Sequence, residues 1–299
     1  MKLELEQTTA VLEARRGDMS LLRYNFVPQM PQLESPRPFI HPLRTLKGNL
    51  VTAFRPHDHL WHKGISLTCA ELSGQNFWGG VTWVQGQGYK QLPNNGRQRH
   101  LKWKMVQATE EGADLIEELR WETQDGASWI DEERRLEIDT SQAASGWWSL
   151  KWSSHLHNIS KQPLVWGSPT TRGRENAGYG GLFWRGPRDF QGGQILISEN
   201  RDGEKAMGQR SPWLAYVGAH DESADRTTML FLDDAHNPRF PTQWFVRSSV
   251  TMAAFAWMFD KEYVQPPDEI LHIAHRIVIA DGAWNRDKIE GFVAAPKAA

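Results

Sequence analysis

The chain has 299 residues, of which 39% are hydrophobic and 23% charged, proportions of a folded globular protein rather than a disordered or fibrous one. A formal charge of -2 and the lack of any long Lys/Arg run exclude the electrostatic footprint of a DNA or RNA binder, so no nucleic-acid partner is expected. The single cysteine, Cys69, excludes an intrachain disulfide, and the longest strongly apolar run, MAAFAWMF at 252–259, is too short to cross a bilayer, so no membrane partner is expected.

The N-terminal MKLELEQTTAVLEARRGD lacks the apolar core and small-residue cleavage site of a secretory signal, and a cytoplasmic location is expected. Within it, LEQTTAVLEARR reads either as a short helix or as two strands around a turn. Strand patterns then follow in order: SLLRYNFV (20–27), GISLTCAEL (64–72), DLIEELRWET (114–123), SWIDEERRLEI (128–138), WWSLKWSSHLHNI (147–159), TTMLFLDD (227–234) and EILHIAHRIVIA (269–280). Trp148, Leu150 and Trp152 share one parity, and Ile273, Ile277 and Ile279 lie opposite His272 and Arg276, the period of a half-buried strand. Turn signals punctuate them: PNNG at 93–96, QDGA at 124–127, RDG at 201–203, PPDE at 266–269 and DGAW at 281–284. With no fixed-period repeat and no linker, the expectation is one all-β domain over residues 1–299, a large antiparallel β-sandwich.

Three polar clusters stand out. An even spread of the eleven histidines would put fewer than one in residues 41–62, yet that window holds His41, His57, His59 and His62, with Arg37, Arg44, Arg55 and Lys63 in or beside it. If residues 57–59 are extended, His57 and His59 share a face and could hold a divalent metal; His62 joins them only if the chain turns after Leu60. Lys63 disfavours a cation there. A histidine beside cations suits proton transfer, because it titrates near neutrality while Arg or Lys stabilises a developing oxyanion. No metal and no other cofactor is therefore favoured, His57 and His59 being the ligands if one binds.

The second cluster, TTRGRENAGYGGLFWRGPRDF (170–190), combines glycines with the donors Arg172, Arg174, Arg185 and Arg188 and the carboxylates Asp189 and Glu175, the last chosen as partner to the histidines. The third, DDAHNPRFPTQWFVR (233–247), is a loop carrying His236, Asn237, Trp244 and Arg247, a polar and aromatic set of the kind that recognises hydroxyl-rich ligands. Fifteen tryptophans in the chain add flat apolar faces that stack on sugar C–H groups as readily as they fill a core.

RPFIHPLRTLKGNLVT, PHDHLWHKG, NFWGG (76–80), YGGLFWR, AHNPRFPTQWFVR and HRIVIADGAW together resemble the bacterial proteins labelled "PmoA family" or "methane oxygenase", over residues 22 to 285. Members of that family commonly read D-H-P-H-H-R-G where this chain has Asp58, His59, Leu60, Trp61, His62, Lys63 and Gly64. The resemblance implies a soluble protein with a galactose-mutarotase-like supersandwich fold, in the company of sugar oxidoreductases.

The expected function is a carbohydrate-active enzyme acting on a small sugar or keto-sugar by epimerisation, elimination or hydrolysis. His59 and His62 serve as general acid and base, with His57 and Glu175 as further catalytic candidates. Arg44, Lys63 and Arg185 stabilise negative charge, Trp78 and Trp244 stack on the ring, and His41, His236 and Asn237 complete the binding set. The alternatives are a metal-dependent enzyme built on His57 and His59, and a carbohydrate-binding module without catalysis.

Overall fold

Strands Gly112–Glu122 and Ser128–Asp139 alternate buried and partly exposed residues, and pair antiparallel so that Leu115, Leu119 and Trp121 join Ile130, Leu136 and Ile138 on one apolar face. That face cannot stay in water, and a second sheet covers it. The structure is a computed structural model of the chain and describes residues 2–198 and 200–295. It is all-β, built around two antiparallel sheets of eight strands each.

The first sheet runs in the order Leu3–Gln7, Val11–Arg16, Met19–Asn25, Phe39–Leu43, Ile65–Cys69, Gly180–Arg185, Met252–Phe255, Trp244–Arg247. The second runs Gln194–Ile197, Trp213–Ala219, Arg226–Asp233, Ile270–Asp281, Trp147–Asn158, Ser128–Asp139, Gly112–Glu122, Arg97–Ala108. One core joins them: Tyr24 meets Trp152 edge to face at 6.4 Å, and Trp184 meets Phe231 at 5.3 Å. Buried charges between the sheets are paired, Arg134 donating to both oxygens of Glu132 at 2.8 Å and to the Tyr24 hydroxyl at 2.9 Å. The large antiparallel sandwich expected from the strand pattern is what the chain forms.

LEQTTAVLEARR contributes two strands rather than a helix, because the Thr8 hydroxyl accepts the Val11 amide at 3.0 Å and closes a turn between Leu3–Gln7 and Val11–Arg16. A helix not anticipated, Arg286–Ala294, begins where the Asn285 side chain accepts the Lys288 amide at 3.0 Å. It buries Ile289 with Trp213, Leu230 and Trp284 against the outer face of the second sheet.

The outer face of the first sheet positions the site. Along Gly180–Arg185, Leu182 and Trp184 enter the main core, so Phe183 and Arg185 point the other way. The same alternation turns Phe245 and Arg247 outward beside inward Trp244 and Val246, and Met252 outward beside Ala253. Arg185 and Arg247 flank Met252 as its register partners on either side. These outward residues form a second apolar cluster with Trp78, Trp61 and Tyr179.

Candidate functional site

The stretch RPHDHLWHKG is not extended. A backbone bridge between Phe54 and Lys63 closes its base, and two turns fold it, the His59 amide donating to the Pro56 carbonyl at 2.9 Å and the His62 amide to the His59 carbonyl at 3.0 Å. The second turn stacks the His59 and His62 rings, with centroids 4.7 Å apart and planes 17° from parallel. His57 departs in another direction, where the Arg188 guanidinium donates to its Nδ1 at 3.0 Å.

The stacked pair lies in a cleft of about 260 Å³ on the outer face of the first sheet. Trp61, Trp78, Tyr89, Tyr179 and Phe245 wall it, and Gly79, Val81, Arg174, Arg247 and Met252 complete its lining. Trp78 packs against Tyr179 at 4.7 Å and against the His62 ring at 5.2 Å. The glycines of NFWGG exist for Trp61: Gly80 has φ +69° and a Cβ there would lie 2.7 Å from the indole ring, while a Cβ on Gly79 would lie 2.6 Å from the Trp61 Cβ. Only glycine lets the two motifs touch.

Beneath the cleft, buried Arg37 clamps the loops together. Its Nη1 donates at 3.0 Å to the carbonyls of Glu34, Ser35 and Trp78, its Nη2 to the Trp61 carbonyl at 2.8 Å, and its Nε to the Ser66 hydroxyl at 3.1 Å. Burial lowers its proton affinity to about 9, with Glu34 opposing. Glu34 in turn takes Arg55 and Lys63, and those two bonds outweigh the burial that would raise its pKa.

His59 donates its Nδ1–H to Asp58 at 3.0 Å, which leaves Nε2 as the acceptor nitrogen. Burial would raise the Asp58 pKa, but the bond from His59 and the nearby Arg185 hold it below the usual carboxylate range. Arg188 donates to Asp58 at 3.2 Å. His62 is buried, and its Nδ1 has no hydrogen-bond partner. Burial, then the charges of His59, Arg185, Arg37 and Lys63, push its pKa well below 6.5, so His62 is a neutral imidazole at neutral pH. The arrangement couples a carboxylate-oriented base to a neutral imidazole inside an aromatic cleft.

The other expected site residues lie elsewhere. Lys63 is fully buried under the loop, paired with Glu34 and donating to the Leu60 carbonyl at 2.7 Å, so it supports the site without lining it. Arg185 lines a smaller neighbouring pocket with Asp58, Arg188 and Thr251. His41 bonds Thr52 at 2.9 Å and stacks on Phe54, and Arg44 donates to the Gly48 carbonyl at 3.0 Å; neither lines the cleft. Trp244 is core, not a sugar platform, because the strand alternation turns it inward and the Ser211 carbonyl takes its indole N–H at 2.9 Å. Asn237 is a structural tie, exchanging bonds with the Ala274 backbone at 2.6 and 2.7 Å. Its neighbour His236 is exposed and pairs with Asp234 at 2.9 Å, beside a groove over the second sheet. Glu175 is exposed and outside the cleft, which takes its neighbour Arg174 instead. Among the described residues, no group of three or more His, Cys, Asp or Glu could hold a metal ion; the turns that join His59 to His62 separate His59 from His57.

Tyr89, Tyr179, Phe245 and Met252 were not singled out by sequence reasoning, and Arg174 was named only among the donors of the second cluster. A signal for part of the set exists in the repeated F-x-R of strands Gly180–Arg185 and Trp244–Arg247, which puts a phenylalanine and an arginine on one face in both.

The histidines also make stability depend on pH. Burial first, then Arg44 and Arg23, lower His41 from 6.5 to about 4, and His62 shifts in the same direction. The unfolded chain then binds more protons below pH 6.5, so this stabilisation is present above 6.5 and is withdrawn as pH falls towards 4. Urea unfolding at pH 7 and pH 4.5 is expected to show His41→Asn losing about 1–2 kcal/mol less on acidification than the parent chain, a figure reduced for the partial exposure of His41. Equal losses in the two proteins would refute this account.

No curated protein matches the chain. Among solved structures it is similar to a heparinase III gene product, at 8% identity and a TM-score of 0.38, over 94% of this chain and 36% of that one. It is also similar to a polysaccharide lyase, at 8% identity and a TM-score of 0.37, over 97% of this chain and 34% of the other. The chain thus spans little more than a third of the length of either. In the described residues no helix is long and apolar enough to cross a membrane. The resemblance to the "PmoA family" or "methane oxygenase" proteins does not hold, because the family model that matches is a different one and no PmoA or methane oxygenase family is found. Over residues 12–294 the chain matches, and so belongs to, the family of unknown function DUF6807.

Proposed function

We propose that the cleft binds a small carbohydrate and that His59 and His62 move a proton on it. The observation that carries this reading is the Asp58–His59–His62 arrangement, an oriented imidazole stacked on a neutral one inside a cleft walled by five aromatic rings. Aromatic faces suit the C–H face of a pyranose, and the hydroxyls of Tyr89 and Tyr179, 3.1 Å apart, offer polar contacts at its edge.

In this reading His59 is the base. Asp58 accepts Nδ1–H, so the proton taken from substrate enters at Nε2 and the carboxylate stabilises the imidazolium that results. His62 stays neutral beside that new charge and acts as an N–H donor to the oxygen on which negative charge grows. A proton removed from carbon beside a carbonyl, followed by return to the other face or loss of a β-substituent, uses both roles. Epimerisation or elimination on a keto-sugar is thus the best match among the expected reactions.

Proton NMR in D₂O on a panel of sugars and keto-sugars tests it. The expected result is loss of one ring C–H signal by deuterium exchange, with or without net conversion. Binding without exchange would make the protein a carbohydrate-binding module instead. A panel with neither binding nor exchange overturns the reading.

A further inference from the structure

Arg174 and Arg247 set a chemical preference that the histidines do not explain. Both line the cleft, and no Asp or Glu lines it with them. Among the described residues neither arginine has an ion pair, in contrast to the guanidiniums around them. Arg55 is held by Glu34, Arg188 by Asp58, and Arg172 by Glu71 and Glu262. Both carboxylates near the histidines are thus engaged, Glu34 by Arg55 and Lys63, and Asp58 by His59 and Arg188.

Each of the two guanidiniums is supported from below by a ring. Arg174 lies over Tyr89 at 4.8 Å and bonds its hydroxyl, and Arg247 lies over Phe245 at 5.4 Å. A guanidinium held over a ring face keeps N–H donors at its edge, and such donors can grip an oxyanion. Arg174 bonds the Tyr89 hydroxyl, which lies 3.1 Å from that of Tyr179, and Arg247 lines the same cleft. An anionic ligand would supply the ion-pair partner that neither guanidinium has among the described residues.

We infer that the cleft is selective for a sugar bearing an oxyanion, a carboxylate or a sulfate, which Arg174 and Arg247 bind while the ring lies against the aromatic wall. This rests on the proposed carbohydrate reading and narrows its substrate class. It also gives the arginines a mechanistic part, since an anion gripped at one end fixes which ring carbon faces the histidines.

Calorimetric titration with methyl glucuronide, glucose 6-sulfate and methyl glucoside tests the inference. An acidic sugar is expected to bind about tenfold or more tighter than methyl glucoside, with the advantage shrinking as salt rises. The stronger of the two acidic probes identifies the oxyanion. Arg174→Gln and Arg247→Gln each reduce the ratio of acidic-sugar to methyl glucoside affinity to about two- to threefold, while Arg247→Lys keeps part of it. Thermal melts matching the parent chain show that both variants fold. Equal binding of acidic and neutral sugars overturns the inference and leaves the carbohydrate reading standing. Binding of none of the three, with none of the wider panel exchanging, overturns both.

Discussion

His59→Ala lowers the rate of deuterium exchange into the substrate by about 10²–10⁴-fold while leaving the melting temperature within a few degrees of the parent. The asymmetry follows from position. The His59 side chain is 39% exposed, so its removal leaves no sealed void, and its partner Asp58 keeps Arg188. Asp58→Asn separates orientation from proton affinity. An asparagine whose amide N–H₂ faces the ring binds the other tautomer of His59, so the proton sits on Nε2 and the base is lost. Rate falls by about 10- to 10³-fold with little change in substrate affinity, the pattern of a group that acts in the transition state. His62→Gln keeps an N–H donor at the same depth and retains more activity than His62→Ala, which also opens a cavity among Trp78, Phe183 and Trp61. A protein whose exchange rate is unmoved by His59→Ala does not use the stacked pair for chemistry.

Part of this candidate site could be read in the sequence, and the part that could not has a physical cause. The density of histidine in residues 41–62 is a compositional fact, and it led to His59 and His62. The choice between His57 and His62 as the partner of His59 depends on backbone conformation. Alternation pairs His57 with His59 in a strand, whereas the Pro56–His59 and His59–His62 turns pair His59 with His62. Trp244 and Arg247 lie three residues apart and have opposite fates because parity sends one to the core and the other to the cleft. Parity is visible from sequence only relative to a known inward residue, and within WFVR the apolar character of Trp244, Phe245 and Val246 hides it. Loss of Glu175 in favour of Arg174 has the same character, a one-residue rotation within a turn region. The strands were the more legible element, since β-rich patterns in Gly112–Glu122, Ser128–Asp139 and Ile270–Asp281 repeat over many residues and average out single irregularities. That the three clusters lie far apart in sequence made their meeting invisible; the sheet order brings Ile65–Cys69, Gly180–Arg185, Met252–Phe255 and Trp244–Arg247 side by side.

Arg37→Met destabilises the fold by about 3–5 kcal/mol and removes ligand binding together with it. Arg37 is 1% exposed and lies in the first polar cluster, yet its role is architectural. Its five hydrogen bonds, three of them shared by the two N–H groups of Nη1, reach four backbone carbonyls and one hydroxyl, and the carbonyls come from three separate segments: Glu34 and Ser35, Trp61, and Trp78. Those segments carry both indoles of the cleft wall and flank Lys63 and its partner Glu34. Methionine fills similar volume but donates nothing, so four buried carbonyls lose their partner and the loops that hold Trp61 over Gly79 and Gly80 separate. Arg37→Lys retains the charge but can make at most three of the five bonds, and an intermediate loss of about 2–3 kcal/mol is expected. Urea midpoints for the parent and both variants, with calorimetric titration at a temperature where each is folded, measure the two effects separately. Loss of stability without loss of binding would show that the cleft wall is held by other contacts, and a Met variant as stable as the parent would remove Arg37 from the architecture of the site.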